Sequence, residues 1–491
     1  MKSKYTSFKL TAVCSALFLS GCISLAPDYE RSALPVAESL ADNGQPASAD
    51  AVELKAWDQF FTDQNAQRLI NIALENNRNL RVAAANVAIA RARYQISYDD
   101  FFPAIGAQVS QSSQQNSINV EGNENISRLS SANIGFTAYE LDFFGKIRSL
   151  KDAALADYFS TEEAKRSTQL SLISETANAY YDWLFALKSY ELAEQTLISR
   201  DKSLDLIERR KTVGIASNLD LAQAQASRAS VAAQKAQLKQ VLTSRKANLE
   251  LLIGAPMGSL NLNPKLTNDF QLQLDIPDEL DSRVLLNRPD VLSAEQSLIA
   301  ANANIGAARA AYFPSIRLGG SIGFSSLEFD DLFDGDSDTW SFVPSINIPI
   351  FNNDLDSNLE IAKAQKEALL AIYEQTIQLA FAETYQQMEN GKTLVEEISA
   401  NKDLVKAQSL RLDLADQKYN AGLASYIEVL NSQQELFAAQ QALLESERKR
   451  LAATIGLYRA LGGGDERPII LSAQAVQQVE DQLEGKEQDD N

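Results

Sequence analysis

The chain repeats itself once, and that duplication limits the architectures open to it. Asn77-Arg78 recurs as Asn287-Arg288, and Phe101-Phe102-Pro103 as Tyr312-Phe313-Pro314. Val213-Gly214-Ile215-Ala216-Ser217 returns as Ala421-Gly422-Leu423-Ala424-Ser425, and Ile253-Gly254 as Leu461-Gly462. The offsets are 210, 211, 208 and 208 residues, in one order. A fold for this chain is therefore two copies of one unit, the first over 66–256 and the second over 282–464. A linker at 22–65 precedes them, a second at 257–281 separates them, and an acidic tail fills 465–491. The tail has a solvated composition.

Each half has one grammar: helix, strand, loop, strand, very long helix, Gly turn, long helix. Ala66–Tyr98 and Ser282–Ala311 are Ala-rich and predict the first helices, each stopped shortly before a Phe-Pro pair. The period then changes to two. Ile316, Leu318, Ile322 and Phe324 alternate with Arg317, Gly319, Ser321 and Gly323. Over 340–350, Trp340, Phe342, Ile346, Ile348 and Ile350 oppose Ser341, Ser345 and Asn347. In the first half Ile105, Ala107 and Val109 oppose Gln108 and Ser110, and Ile134, Phe136 and Ala138 oppose Asn133 and Thr137. After the strands, Leu150–Thr212 holds no Pro or Gly, and as one helix it would span about 95 Å. Asp354–Asn420 is comparable, interrupted only by Gly391. Beyond the first Gly turn, Leu219, Ala222, Ala226, Ala229, Ala233 and Ala236 form a small-residue seam suited to close helix packing.

Two readings of the strands stand side by side. One is a half-buried antiparallel sheet on a water-soluble core. The other is a set of membrane strands with lipid on one face and water on the other. Four strands cannot close a barrel, and open sheet edges do not occur in lipid, so the second reading requires several chains.

The N-terminus bears on that choice. Lys2, Lys4 and Lys9 precede the apolar run Leu10–Leu19, too short for a spanning helix and right for a signal peptide over 1–21. The run ends in Leu19-Ser20-Gly21-Cys22, which resembles the bacterial lipobox, so Cys22 is expected to be acylated. Ile23 follows, where lipoproteins kept at the inner membrane usually carry Asp, so this one is expected at the outer membrane of a Gram-negative-type cell.

Catalysis is not expected. There is no histidine, which removes Ser-His-Asp triads and His-based zinc sites. The only cysteines are Cys14 and Cys22, so no disulfide framework exists. Gly319-Gly320-Ser321-Ile322-Gly323 fits G-x-S-x-G but lies in an alternating strand with no base available. Gly391-Lys392-Thr393 lacks the first glycine of a phosphate loop, whose place is held by Gln386. Asp330, Asp331, Asp334, Asp336 and Asp338 match no EF-hand spacing and read as a solvated loop or a weak Ca²⁺ site. With 45 Lys and Arg against 65 Asp and Glu, the net charge of −20 argues against nucleic acid. No cofactor is expected.

The chain resembles the TolC-like outer-membrane efflux proteins, in their lipoprotein branch serving resistance-nodulation-division pumps. The resemblance rests on the duplication, both Phe-Pro junctions, the corner Leu141-Asp142-Phe143-Phe144-Gly145, the run Asn287-Arg288-Pro289-Asp290 and both Gly turns. It implies a mixed α/β, mostly α, membrane protein. Three chains give a twelve-stranded barrel, four strands each, continuous with a long periplasmic α-helical barrel. The Gly214 and Gly422 turns form the far tip, a gate opened by a periplasmic adaptor and an inner-membrane transporter. Glu428 takes the first of two acidic ring positions in the family, while Asn431 departs at the second. Tyr419 and Asp220 match positions that hold the helix pairs together at the tip, whereas the expected arginine after the second turn is replaced by Ala424-Ser425. The implied function is the passive exit duct of a tripartite efflux pump for small toxic compounds or drugs. The alternatives are the exit duct of a type I protein secretion system and a non-channel envelope scaffold.

Overall fold

A computed structural model describes residues 24–40, 55–115, 126–260, 262, 272 and 280–464. The signal peptide, Cys22 and the acidic tail lie outside the described residues. The elements run α1 (Gln64–Asn76), α2 (Arg78–Asp99), β1 (Ile105–Gln115), β2 (Ile126–Leu141), α3 (Lys146–Thr212), α4 (Asn218–Ile253), α5 (Pro289–Ala310), β3 (Ser315–Ser326), β4 (Asp338–Asn347), α6 (Asn353–Asn420) and α7 (Tyr426–Ala460). Among the described residues no helix is long and apolar enough to cross a membrane.

The first helix of each half is broken, not continuous as its composition suggests. Asn77 is extended, and its Oδ1 accepts from the N–H groups of Asn79 and Leu80 at 2.9 and 3.2 Å. Its Nδ2 donates to the carbonyl of Leu252 at 3.0 Å, so the side chain caps α2 and ties it to α4. In the second half a 3₁₀ segment over Ser282–Asn287 precedes an extended Arg288, and Pro289 opens α5, where its missing N–H costs nothing. The Asn-Arg anchors of the duplication are thus helix restarts. By contrast α6 runs through Gly391 for 68 residues, because one glycine costs about 1 kcal/mol against the cooperativity of a long packed helix.

The described residues form two compact units. One draws on the described residues within 24–33, 85–162 and 293–374, the other on those within 34–84, 163–292 and 375–464. The first holds an antiparallel sheet in the order β1-β2-β3-β4. Its register places Ile105 opposite Phe136, Ala107 opposite Ile134, Ile134 opposite Ile322, and Ile322 opposite Trp340. A bulge lies between Phe136 and Tyr139, with Ala138 at φ 57°, so simple alternation fails there. The bulge switches parity: beyond it Tyr139 and Leu141 oppose Leu318 and Ile316 and continue the apolar face in place of Ala138. The strand β4 also stops at Asn347, short of Ile348 and Ile350, because Pro349 cannot donate to a ladder. Pro344 is tolerated inside β4 because β4 is an edge.

The second unit has the main core, where Phe61, Leu69, Ile70, Leu184, Ile253 and Tyr458 are all buried. Tyr458 stacks on Phe60 with ring centroids 4.2 Å apart. Its hydroxyl donates to the carbonyl of Lys55 at 3.1 Å and accepts from the N–H of Gly464 at 3.0 Å. Beside this core the buried Arg288 donates to Asp290, to Glu383 at 2.9 Å and to the carbonyl of Ala460 at 2.6 Å, closing the C-terminus of α7. Arg459 joins Glu383, and these two guanidinium groups hold the Glu383 carboxyl below its usual range against the opposing effect of burial. The run Asn287-Arg288-Pro289-Asp290 is therefore an ionic cap and helix start. Tyr458→Ala should cost about 3–5 kcal/mol and Tyr458→Phe about 1–2 kcal/mol, read from denaturant unfolding of the detergent-solubilised protein. Equal losses would show that stacking contributes nothing beyond the hydroxyl.

Candidate functional site

Two features of the described residues have no structural explanation within one chain. The first is the sheet. Its apolar face is bare: Ile105 is 74% exposed, Ile134 56%, Ile322 68% and Trp340 76%. The opposite face has serine rungs, Ser110 to Ser131 at 3.0 Å and Ser321 to Ser341 at 2.8 Å. Below the bulge this polar face carries Glu140, bound to Lys146 and Arg317 at 3.1 Å each. Glycines bring the central strands together: a Cβ on Gly135 or Gly323 would collide with the backbone of β3 or β2. Neither β1 nor β4 has a partner on its outer edge among the described residues. This geometry speaks against the half-buried sheet of a water-soluble core, since nothing among the described residues covers the apolar face.

The second feature is the pair of Gly turns, both in the second unit. Gly214 and Gly422 have φ of 79° and 72°, the left-handed region that ends a helix cheaply only with glycine. Ile215 donates to the carbonyl of Arg210 at 2.8 Å and Leu423 to that of Lys418 at 2.9 Å, so both turns close by the same five-residue reach. The next helices start differently. Ser217 and Asp220 form a reciprocal capping box on α4: the Asp220 carboxylate accepts from the N–H and the hydroxyl of Ser217 at 2.9 and 2.8 Å, and the Asp220 N–H donates to the Ser217 hydroxyl at 3.1 Å. Asp220 therefore serves its own turn and makes no bond to another helix among the described residues. At the equivalent position in the other half, offset by 208, stands Glu428. Ser425 makes no side-chain cap there, and the Glu428 carboxylate has no partner among the described residues. Glu428 and Asn431 are both exposed, one turn apart at the start of α7.

Tyr419 does join helices at the tip. Its ring lies 5.4 Å from that of Tyr426, and the guanidinium of Arg210 sits 4.6 Å over it. Arg210 also donates to the Asn420 side chain at 3.1 Å, linking the end of α3 to the end of α6. The arginine in contact with Tyr419 thus comes from just before Gly214, where a search confined to the second turn does not look. Nearby Arg200 is 4% exposed on α3, and burial lowers its pKa. In the loop of aspartates, Ser337 donates to the carbonyls of Leu332 and Asp334 at 2.7 Å each. Among the described residues no cluster of acids, Cys or His is placed to hold a metal ion.

Comparison with known proteins agrees with this geometry. A family model described as outer membrane efflux protein matches residues 69–255 and 280–463. The chain is 40% identical to the probable efflux pump outer membrane protein TtgC of Pseudomonas putida, over 94% of this chain and 96% of that one. It is 38% identical to the cation efflux system protein CusC of Escherichia coli K12, over 93% and 99%. Among solved structures, the open state of the Neisseria gonorrhoeae MtrE outer membrane channel superposes with a TM-score of 0.81 at 31% identity, covering 90% of this chain and 98% of that one.

If Arg210 holds the tip helices together, Arg210→Met should speed trypsin cleavage after Arg209 and Lys211 about three- to tenfold, the equivalent of one exposed cation–π contact and a hydrogen bond. An unchanged rate would place the restraint elsewhere.

Proposed function

Since the chain belongs to the outer membrane efflux protein family, we propose that it is the exit duct of a tripartite efflux pump, passing small toxic compounds or drugs outward from an inner-membrane transporter and its periplasmic adaptor. The observation that supports this most directly is the sheet: an apolar face open to its surroundings, a serine-bearing polar face, and two free edges. Three chains side by side pair β4 of one with β1 of the next and close a twelve-stranded barrel, which satisfies every backbone group in the hydrocarbon. The polar face then lines water. Nothing in this scheme uses energy; the transporter supplies it.

Cys22 is the proposed lipid site and an auxiliary anchor. Acyl chains contribute about 0.8 kcal/mol per buried CH₂, but the barrel spans the membrane without them. Cys22→Ala behind a cleavable signal should still give membrane-inserted trimers that conduct in planar bilayers. Recovery of soluble monomer alone would mean that the strands do not suffice.

Gly214 and Gly422 mark the periplasmic tip, with Tyr419 and Asp220 shaping it and Glu428 facing the axis. Three Glu428 carboxylates in a narrow ring would focus negative potential and select cations. Asn431 leaves that ring single. Glu428→Gln should weaken cation preference and block by a trivalent cation, and Asn431→Asp should strengthen both, as read from reversal potentials under a salt gradient. No change with Glu428→Gln would remove Glu428 from the constriction.

A further inference from the structure

The segment just after Cys22 is not a free linker. Over 25–31 it lies along one face of α5, in reverse direction, with each contact in step. Arg309 donates to the carbonyl of Leu25 at 3.0 Å. Gly306 meets Ala26 so closely that a Cβ would stand 2.8 Å from the Ala26 nitrogen. Asn302 donates to the carbonyl of Pro27 at 2.6 Å and is itself oriented by Lys366 at 2.7 Å. At the far end Glu295, 2% exposed, accepts both arms of Arg31 at 2.7 and 2.8 Å and the Tyr29 hydroxyl at 3.1 Å. Positions 295, 302, 306 and 309 share a helix face by their spacing of seven, four and three. The lengths also agree. Six extended steps from Leu25 to Arg31 cover about 20 Å, and fourteen helical steps from Arg309 to Glu295 about 21 Å.

Arg309 lies at the end of α5, and β3 begins at Ser315. Cys22 is three residues before Leu25, so covalent geometry keeps it within about 11 Å of that held carbonyl. We infer that residues 25–31 are a docked strap, locked by the Arg31–Glu295 pair, that fixes the height at which the lipid on Cys22 enters the membrane, at the foot of β3. The inference rests on the proposed acylation of Cys22. It gives the lipid a role beyond added affinity: acyl chains and barrel strands share one height in the bilayer, with only the three residues from Cys22 to Ser24 ahead of the held segment. A buried carboxylate suits this role because removing its partner leaves a charge in a dry site, so the strap is held firmly or not at all.

The test is a distance between spin labels at Ser24→Cys and Ser315→Cys in the full-length protein in outer-membrane vesicles, with labelled chains diluted by unlabelled ones. The mass of the N-terminal peptide reports acylation separately. A docked strap gives one narrow distribution, in the acylated protein and equally in a Cys22→Ala form made with a cleavable signal. Arg31→Met should broaden it at least about twofold, since the buried Glu295 carboxylate then loses its charged partner. Gly306→Val should do the same by steric exclusion, and it leaves the ion pair's residues in place if Arg31→Met folds poorly. A broad distribution in the unaltered strap overturns the proposal, as does a narrow one that survives both substitutions. Narrowness only in the acylated form overturns it too, because the bilayer and not the clasp would then order the strap. An unmodified Cys22 peptide overturns the anchor reading, and the strap's role with it, even where the distances show the strap docked.

Discussion

A backbone N–H or carbonyl in hydrocarbon has no water to turn to, and each one left unpaired costs several kcal/mol. The sheet of this chain meets that constraint only at its centre, between β1 and β2, β2 and β3, and β3 and β4. Among the described residues the outer edges of β1 and β4 do not, and the apolar face has no cover. The duplication contributes one hairpin per half and joins them through β2 and β3, so the free edges fall at the two ends of the set. Among the described residues those edges have no partner, and neighbouring copies of the chain, as proposed above, would supply one.

Much of this was legible in the residues. Strict alternation over 105–110 and 316–324 gave strands with an apolar and a polar face, because side chains alternate with period two whatever surrounds them. The runs lacking Pro gave α3 and α6, and the glycines gave both turns, since only a left-handed residue closes a helix by that reach. Other features depend on tertiary partners and left weaker signals. Asn77 breaks the first helix because its side chain caps the α2 amides through Oδ1 while donating to the Leu252 carbonyl through Nδ2, which composition averaged over 66–98 conceals. The bulge at Thr137-Ala138 shows only as a change of parity, Ile134 and Phe136 giving way to Tyr139 and Leu141. The strap was hidden for another reason: extended segments on helices have no period, and its clasp pairs residues 264 positions apart.

At the candidate site the divide is similar. Both turn glycines follow from local chemistry and could be read directly. The capping box of Ser217 and Asp220 was also available, since Ser followed three residues later by an acid is its signature. Reading Asp220 as a cross-helix contact passed over that nearer partner. Arg210 could not be found by motif, because its partners Tyr419 and Asn420 come from the other half of the chain.

The tip also shows how a duplicated chain acquires unequal halves. Asp220 and Glu428 occupy one position in the two repeats, and so do Arg210 and Lys418, each pair offset by 208. In the first half the acid is engaged by its own N-cap serine, while in the second Ser425 leaves the acid free. The basic position diverges the other way: Arg210 reaches across to the second half, and Lys418 makes no side-chain hydrogen bond among the described residues. A planar guanidinium can stack on a ring and donate sideways at once, which a lysine ammonium does poorly. One half therefore supplies a cation that joins two helices, and the other a carboxylate without a partner among the described residues.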